Sequence, residues 1–333
     1  MRRFVFMLFL VGALFTAGWA LYHKDQIQSP GDLFRLAGQQ FDRARTALAP
    51  ARSAGWRSGP THLIRVASFN TGGLDATRLD NPLVEGVLTR LVTEFDVVAL
   101  QQVHCDDRWL LQRFLNGIHP DSGQFDFVLG LPGRNEDRPA DCAAIIYNRQ
   151  TIELENDRHY TINDPDQLMA RPPLVAWFRT RTGSDQESFT FTLVNLQFNN
   201  AESGDEILQT GPVFRAVRND GRGEDDVILA GDFGASALRL SATEIGGGLS
   251  PLIRYSATST QGDRQSDNLL IDSLATTEFN GEAGVFDFLQ QANLTLAEAT
   301  QVSAHLPVWA EFSATENSRP GRVADDTSGP TVR

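Results

Sequence analysis

Apolar residues follow two different periods along the central part of the chain. Residues 63–70 alternate apolar with other side chains and run into Gly72 and Gly73, which predicts a strand followed by a turn. A stripe at helical spacing predicts a helix through Leu83, Val87, Leu88 and Leu91. Nearly unbroken apolar runs, typical of strands covered on both faces, occupy residues 96–100, 125–129, 143–147, 189–196, 227–229 and 269–271. With helical stretches around residues 109–115 and 207–217, the pattern predicts an α/β protein built on central sheets.

The first 22 residues form a separate segment. Met1-Arg2-Arg3 precedes an uncharged, mostly apolar run over residues 4–22, which is long enough to span a bilayer as a helix. The basic flank is expected to stay inside, so the chain after Tyr22 is exported. Two interpretations stay open, a cleaved signal peptide and an uncleaved signal anchor. The junction at Gly18-Trp19-Ala20 is a poor cleavage site and favours the anchor.

The segments on either side of the central part of the chain differ from it in their pattern of apolar residues. Residues 23–60 predict a stalk or linker with a short amphipathic helix that ends at Pro50. Residues 314–333 lack apolar periodicity and predict a disordered tail. The expected location is the inner membrane with the body facing the periplasm or another extracytoplasmic side, or outside the cell if the leader is cleaved.

Charge separates the leader and stalk from the body. Residues 1–60 carry eight basic and three acidic side chains, a net charge of +5, whereas residues 61–333 carry 21 basic and 39 acidic side chains, a net charge of −18. A body this acidic repels a phosphate backbone at long range, so no general nucleic-acid binding is expected. The expected partners are a phosphate-bearing small molecule or an unidentified protein, with the membrane contacted through residues 4–22.

Six segments of the body occur in an order that carries a family resemblance. They are IRVASFN (64–70), VVALQQV (97–103), AAIIYN (143–148), LVNLQF (193–198), ILAGDFG (228–234) and SAHLPV (303–308). In this order they resemble the endonuclease/exonuclease/phosphatase superfamily, which has the deoxyribonuclease I-like fold. The resemblance covers residues 61–313 and implies a four-layer α/β/β/α sandwich of two packed mixed sheets. It also implies hydrolysis of phosphoesters, usually with Mg²⁺.

The family's functional positions are retained in part. Asn70, Asp232, Asp267 and His305 match residues that orient the metal ligands, handle the attacking water, orient the histidine and act on the phosphate. Arg171 in RPP resembles a phosphate-contacting arginine. Four positions depart from the family's pattern: Gln102 stands for the metal-binding Glu, Gln197 for a His, Gly234 for an Asn and Ala304 for an Asp.

These departures weaken the implied metal site. An amide oxygen at Gln102 supplies no charge, and Ala304 supplies no ligand, whereas Mg²⁺ favours carboxylate oxygen. His104 is a conceivable replacement ligand, but Asp106 and Asp107 would have to join it. Each retained residue also has a structural interpretation, since Asp232 and Asp267 could hydrogen-bond turn amides and His305 could be a buried, satisfied histidine.

Two function classes follow. The first is an exported, membrane-tethered binding or scaffold domain with an impaired or inactive site and no resident cofactor. The alternative is a metal-dependent phosphodiesterase or phosphatase with a rearranged site and Mg²⁺ as its cofactor. A weaker third hypothesis is metal-free phosphate chemistry by His305 and Asp267 with Arg171. The missing metal ligands favour the first class, because a fold alone does not establish function.

The two cysteines flank two of the predicted strands. Cys105 follows the strand at 97–103 by two residues, and Cys142 directly precedes the strand at 143–147. Export would place both in an oxidising compartment, and neighbouring strands would bring them within bridging distance. We predict a Cys105–Cys142 disulfide, with two buried free thiols as the alternative.

Overall fold

The computed structural model describes residues 62–107, 109–118, 123–133, 141–182, 187–198 and 206–316. The predicted anchor, the whole of the predicted stalk and residues 317–333 of the predicted tail lie outside these ranges. None of the helices in the described ranges is long and apolar enough to cross a bilayer.

The first sheet has six strands in the spatial order β11-β12-β1-β2-β4-β3. Its strands are β1 (Leu63–Leu74), β2 (Val97–His104), β3 (Phe125–Leu129), β4 (Asp141–Asn148), β11 (Phe279–Val285) and β12 (Val308–Ser313). β1 pairs with β2 in parallel and with β12 antiparallel, so the sheet is mixed.

The second sheet also has six strands, in the order β5-β6-β7-β8-β10-β9. Its strands are β5 (Ile152–Thr161), β6 (Leu174–Thr180), β7 (Thr190–Gln197), β8 (Val227–Asp232), β9 (Ser250–Pro251) and β10 (Asp267–Ile271). Only β7 and β8 pair in parallel, and the other pairs are antiparallel.

Helices form the outer layers. They are α1 (Ala76–Leu79), α2 (Pro82–Glu94), α3 (Leu110–Ile118), α4 (Thr210–Arg218), α5 (Ala237–Leu240), α6 (Thr243–Gly246), α7 (Phe288–Gln291) and α8 (Leu296–Val302), with a 3₁₀ turn at Glu206–Gln209. The buried face of α2 carries the predicted stripe of Leu83, Val87, Leu88 and Leu91. Its N-terminus is capped by the side chain of Asn81, which accepts from the backbone N–H of Leu83.

Three apolar cores correspond to the three interfaces of a four-layer sandwich. One core lies between the sheets and includes Val66, Phe178 and Ile228; a second lies under α2 and α3, and a third under α4. The predicted α/β/β/α sandwich of two packed mixed sheets is therefore confirmed.

The structure also bears on the two remaining predictions about this region. Cys105 and Cys142 form a disulfide with their Cα atoms 5.9 Å apart, because β2 and β4 are antiparallel neighbours at that end. Three residues of the predicted tail are described: Ala314 donates to His62 O, Thr315 bridges to Ser188, and Glu316 donates to Glu187 O. The rest of the predicted tail, residues 317–333, lies outside the described residues.

Candidate active site

Two antiparallel strands bring the central carboxylates of the site together. Asp232 is the last residue of β8, and it pairs directly with Asp267, the first residue of β10. Both side chains are buried. His305 lies in the segment that leads into β12, where it forms a bridge with Ser259. One rim of the sandwich therefore collects side chains from β8, β10 and the approach to β12.

Asp267 fixes the orientation of the imidazole. His305 Nδ1 lies 2.9 Å from Asp267 Oδ2, and its other nitrogen, Nε2, lies 3.8 Å from Asp232 Oδ2. Thr258 and Ser266 each donate a hydroxyl to Asp267 Oδ2 at 2.8 Å. With Nδ1–H donating to Asp267, Nε2 is the nitrogen left to face Asp232 and the rim.

Asn70 holds the second carboxylate. Its Nδ2 donates to Asp232 Oδ2 at 2.8 Å and lies 3.5 Å from His305 Nε2. The backbone N–H of Gly234 donates to the other oxygen of Asp232 at 3.0 Å. Gly234 has a φ of +60°, a conformation that glycine adopts without strain and asparagine tolerates.

The charges of neighbouring side chains shift the pKa values of His305 and Asp232. Burial alone would lower the pKa of His305, but the charge and hydrogen bond of Asp267, with the charge of Asp232, outweigh it and raise that pKa to about 9. Burial raises the pKa of Asp232, and the charge of Asp267 adds to the rise, against the opposing charge of His305. At neutral pH the imidazole is therefore a cation held between two carboxylates.

Gln102 occupies an irregular position in β2. Its φ is +59°, and the β2–β4 register shifts between Leu100 and Val103. Left-handed backbone at a residue with a side chain costs on the order of 1 kcal/mol. Thr71 spans this irregularity, donating its hydroxyl to the carbonyl oxygens of Gln101 and Gln102, both at 2.9 Å.

A narrow cleft is lined by three of the predicted positions. Gln102, Gln197 and Arg171 line it together with Asp141. Gln197 pairs with Asp232 across β7 and β8, so the cleft opens beside the carboxylates. Gln197 Oε1 is buried and accepts no hydrogen bond from the described residues. Ala304 lies next to His305 in an exposed position. The structure thus places Gln102, Gln197 and Arg171 along one cleft, next to the rim where Asn70, Asp232, Asp267 and His305 converge.

A buried amide pair beneath the cleft was missed by the sequence reasoning. Gln101 Nε2 donates to Asn195 Oδ1 at 2.7 Å and to Ser68 Oγ at 3.0 Å. Asn195 Nδ2 donates to the carbonyl oxygens of Leu100 and Ala144, both at 2.8 Å. These bonds join the two sheets directly under the site. The sequence signal that could have indicated this pair is an amide side chain within a largely apolar run in each strand, Gln101 in β2 and Asn195 in β7.

Comparisons with known proteins agree with this geometry. No protein-family model matches the chain. It is 26% identical to deoxyribonuclease-1-like 1 of Mus musculus over 85% of this chain and 90% of that protein, and 24% identical to deoxyribonuclease gamma of Mus musculus over 74% and 84%.

Solved structures resemble it at the level of the fold. An endonuclease/exonuclease/phosphatase family protein of Leptotrichia buccalis matches with a TM-score of 0.53 at 13% identity, over 76% of this chain and all of that chain. D. rerio TDP2 complexed with a single-strand DNA product matches with a TM-score of 0.53 at 16% identity over the same shares. In sequence the chain is similar to deoxyribonuclease I-like proteins, and its fold is that of endonuclease/exonuclease/phosphatase family structures.

The residues present do not fit the Mg²⁺ ion of this superfamily. At this rim, the group of potential ligands that converges in the described ranges is Asp232, Asp267 and His305. Its members already bond to one another and to Asn70, while the cleft beside them presents the neutral amides of Gln102 and Gln197, the cation of Arg171 and the single carboxylate of Asp141. A hard divalent cation requires a carboxylate-rich oxygen shell. The rim offers a charged imidazole in its place.

Proposed function

We propose that this chain is an exported, membrane-tethered superfamily domain that binds a phosphate ester and has little or no hydrolytic activity. One observation carries the proposal. The histidine–aspartate pair is kept at 2.9 Å, whereas the two positions that hold acidic metal ligands in the family are Gln102 and Ala304.

The loss of acidic metal ligands and of hydrogen-bond donors supports binding of a phosphate ester without its hydrolysis. Each lost carboxylate removes an attraction of about 4 kcal/mol for a unit charge at 4 Å and an effective dielectric of 20, and the attraction doubles for a divalent cation. Replacement of a family histidine by Gln197 and a family asparagine by Gly234 removes donors to the transition state. One such loss costs about a hundred-fold in rate or more.

Two cationic side chains remain near the carboxylates of Asp232, Asp267 and Asp141 and can bind an anion. His305 is protonated at neutral pH, since its pKa lies at about 9. Arg171 lines the adjoining cleft. A phosphate group fits two such cationic donors. Because the body carries a net charge of −18, we propose a small phosphate ester or a phosphate group on a protein rather than a nucleic acid.

Export and tethering rest on the leader pattern alone. The apolar run over residues 4–22 behind Arg2 and Arg3 supports insertion with the body outside. Fractionation of cells tests this part. We expect full-length protein in the membrane fraction, resistant to carbonate extraction, with the body accessible from the outer side. Full-length protein in the cytosol would contradict it.

The binding proposal is tested with p-nitrophenyl phosphate on purified full chain in chelator. We expect saturable binding by titration calorimetry and release of p-nitrophenolate at the background rate. His305→Gln is expected to weaken binding at least about ten-fold, because it removes one charge-assisted contact worth about 1.5 kcal/mol or more. Arg90→Gln removes an arginine of α2 that pairs with Glu94 and does not line the cleft; this variant serves as the matched control and is expected to bind like wild type. Unchanged binding in His305→Gln would contradict the proposal.

A second candidate function is phosphoester hydrolysis by a rearranged site. The observation that favours it is the position of His305 Nε2, 3.8 Å from Asp232 Oδ2, where an acid and a base face the same point of the rim. Turnover that requires both side chains would establish this candidate in place of the first.

A further inference from the structure

Buried amide side chains from both sheets line the cleft beside the rim. Gln101 of β2 is 1% exposed, and Asn195 and Gln197 of β7 are 0% and 6% exposed. Asn195 and Gln197 lie two residues apart, so their side chains leave the same face of β7. That face is turned toward the first sheet, because Asn195 Nδ2 donates to the carbonyl oxygens of Leu100 and Ala144. We call Gln101, Asn195 and Gln197 the amide floor.

The hydrogen bonds of the amide floor fix the orientation of the Gln101 side chain. Since Asn195 Nδ2 donates to two backbone carbonyls, Asn195 Oδ1 is the acceptor that faces Gln101, and it accepts from Gln101 Nε2 at 2.7 Å. The same nitrogen donates to Ser68 Oγ at 3.0 Å. A rotated Gln101 amide would set one oxygen against another at Asn195. The remaining atom is Gln101 Oε1, which is buried and accepts no hydrogen bond from the described residues.

Gln197 adds a second acceptor to the same cleft. Its Oε1 is also buried and accepts no hydrogen bond within the described ranges. Buried polar atoms are ordinarily hydrogen-bonded, and an exception in a native structure requires an explanation. Two such oxygens on one cleft indicate a bound group that donates hydrogen bonds to both.

Charge and size define that group. The charged residues that line the cleft in the described part of the chain are Arg171 and Asp141, and Asp141 is 4% exposed. The space between the lining residues admits one water-sized group. A primary ammonium is of this size, donates three hydrogen bonds and accepts none, which matches two amide oxygens and a carboxylate. A hydroxyl group donates only one hydrogen bond and would leave one amide oxygen unsatisfied.

We propose that this cleft is a subsite for a primary ammonium group, so that the bound compound is a phosphate ester of an amino alcohol. The inference rests on the proposed function, in which His305 and Arg171 bind the phosphate. Gln101 Oε1, Gln197 Oε1 and the carboxylate of Asp141 then accept the three N–H groups of the ammonium. Each charged group of the ligand meets an opposite charge, which offsets the cost of removing it from water.

The first test compares the affinities of phosphoethanolamine and ethyl phosphate for the full-length protein in chelator, by titration calorimetry. The two compounds differ in a single amine. We expect phosphoethanolamine to bind at least about ten-fold more tightly, because its ammonium gains charge-assisted hydrogen bonds.

Two further ligands separate charge from hydrogen bonding. Hydroxyethyl phosphate carries a hydroxyl in place of the amine and is expected to bind more weakly than phosphoethanolamine. Phosphocholine carries the same positive charge, but its trimethylammonium group has no N–H and is larger than a water-sized space. We expect it to bind no more tightly than ethyl phosphate.

The aminoethyl phosphate group occurs both as a free monoester and as a lipid headgroup. Glycerophosphoethanolamine, the water-soluble headgroup portion of such a lipid, distinguishes the two sources when it is compared with glycerophosphoglycerol. Tighter binding of the amine-containing diester would assign the lipid headgroup. A gain confined to phosphoethanolamine would assign the free monoester.

A variant locates the ammonium. Gln197→Leu removes one acceptor and keeps a side chain of similar size. We expect it to lower the ratio of phosphoethanolamine affinity to ethyl phosphate affinity from at least about ten toward one. Gln290→Leu, at an exposed position of α7 that does not line the cleft, is the matched control and keeps the wild-type ratio. If Gln197→Leu does not fold, the ligand series with wild type still decides the proposal.

Three results would overturn the proposal. An affinity for phosphoethanolamine equal to that for ethyl phosphate or hydroxyethyl phosphate would remove the ammonium subsite and leave the proposed phosphate binding intact. A ratio that Gln197→Leu leaves unchanged in folded protein would place the ammonium elsewhere. Failure of every phosphate ester to bind would contradict the proposed function and this inference together.

Discussion

His305 shows how neighbours decide what a residue does. A histidine in a largely buried position would ordinarily be neutral, yet Asp267 at 2.9 Å and Asp232 at 3.8 Å keep this one charged. The sequence indicated the residue types and their order. It could not indicate the protonation state, because that depends on two carboxylates brought in from β8 and β10.

This coupling predicts a pH dependence of stability. The folded pKa of about 9 lies above the unfolded value of about 6.5, so the stabilisation is complete below pH 6.5 and is lost as the pH rises through 9. The difference corresponds to about 3 kcal/mol. Denaturant unfolding at pH 6 and pH 9 should therefore show a larger loss for wild type than for Asp267→Asn, in which the partner charge is absent.

Glu282→Gln serves as the control for that measurement and should lose as much stability as wild type over the same interval. Equal losses in wild type and Asp267→Asn would show that the pair does not set the charge of His305.

At the scale of elements, the apolar pattern predicted most of the central strands and missed two polar edge strands, β5 and β11. The runs that became β2, β4, β7, β8 and β10 are almost wholly apolar because they are central strands covered on both faces. β5 and β11 are edge strands with polar, partly exposed sequences, ELENDR and FNGEAG. Such strands are defined by their partner's hydrogen bonds rather than by their own side chains, so a single sequence carries little signal for them.

The disulfide was predictable because both cysteines lie next to apolar runs of central strands. Cys105 follows the apolar run of β2, and Cys142 precedes that of β4. The two cysteines therefore come together if β2 and β4 are neighbours, as they are. The bridge lies beside the cleft that Gln102 lines.

Gly231 in β8 gives an element-scale prediction. A Cβ atom at this position would lie 1.8 Å from the carbonyl oxygen of Leu196, its partner in β7. Gly231→Ala must therefore separate two central strands beneath Asp232, and we expect a loss of more than about 3 kcal/mol in the free energy of unfolding. Gly117→Ala, where nothing lies within 4 Å, is the matched control in helix α3 and is expected to gain up to about 1 kcal/mol.

Urea unfolding of the two variants beside wild type is the measurement. A Gly231→Ala variant as stable as wild type would mean that β7 and β8 are not in the described register.

At the scale of the whole molecule, one rim of the sandwich gathers Asn70, Asp232, Asp267 and His305. This gathering was predictable from the sequence because these residues stand at the ends of recognisable strands in a family-like order.

At the same scale, contacts that need no ion at the rim hold the two sheets together. The amide pair of Gln101 and Asn195 joins the sheets beneath the cleft with bonds of 2.7–2.8 Å. The fold is therefore compatible with the proposed loss of metal binding through Gln102 and Ala304.

Hydrolysis of bis(p-nitrophenyl) phosphate in Mg²⁺ tests this central claim most directly, comparing the full-length wild type with the variant Gln102→Glu, Gln197→His, Gly234→Asn and Ala304→Asp. We predict background turnover for wild type. The fourfold variant should gain Mg²⁺-dependent turnover of at least about a hundred-fold, the effect of restoring a single transition-state contact. Mg²⁺-dependent turnover by wild type that His305→Ala abolishes would contradict the account.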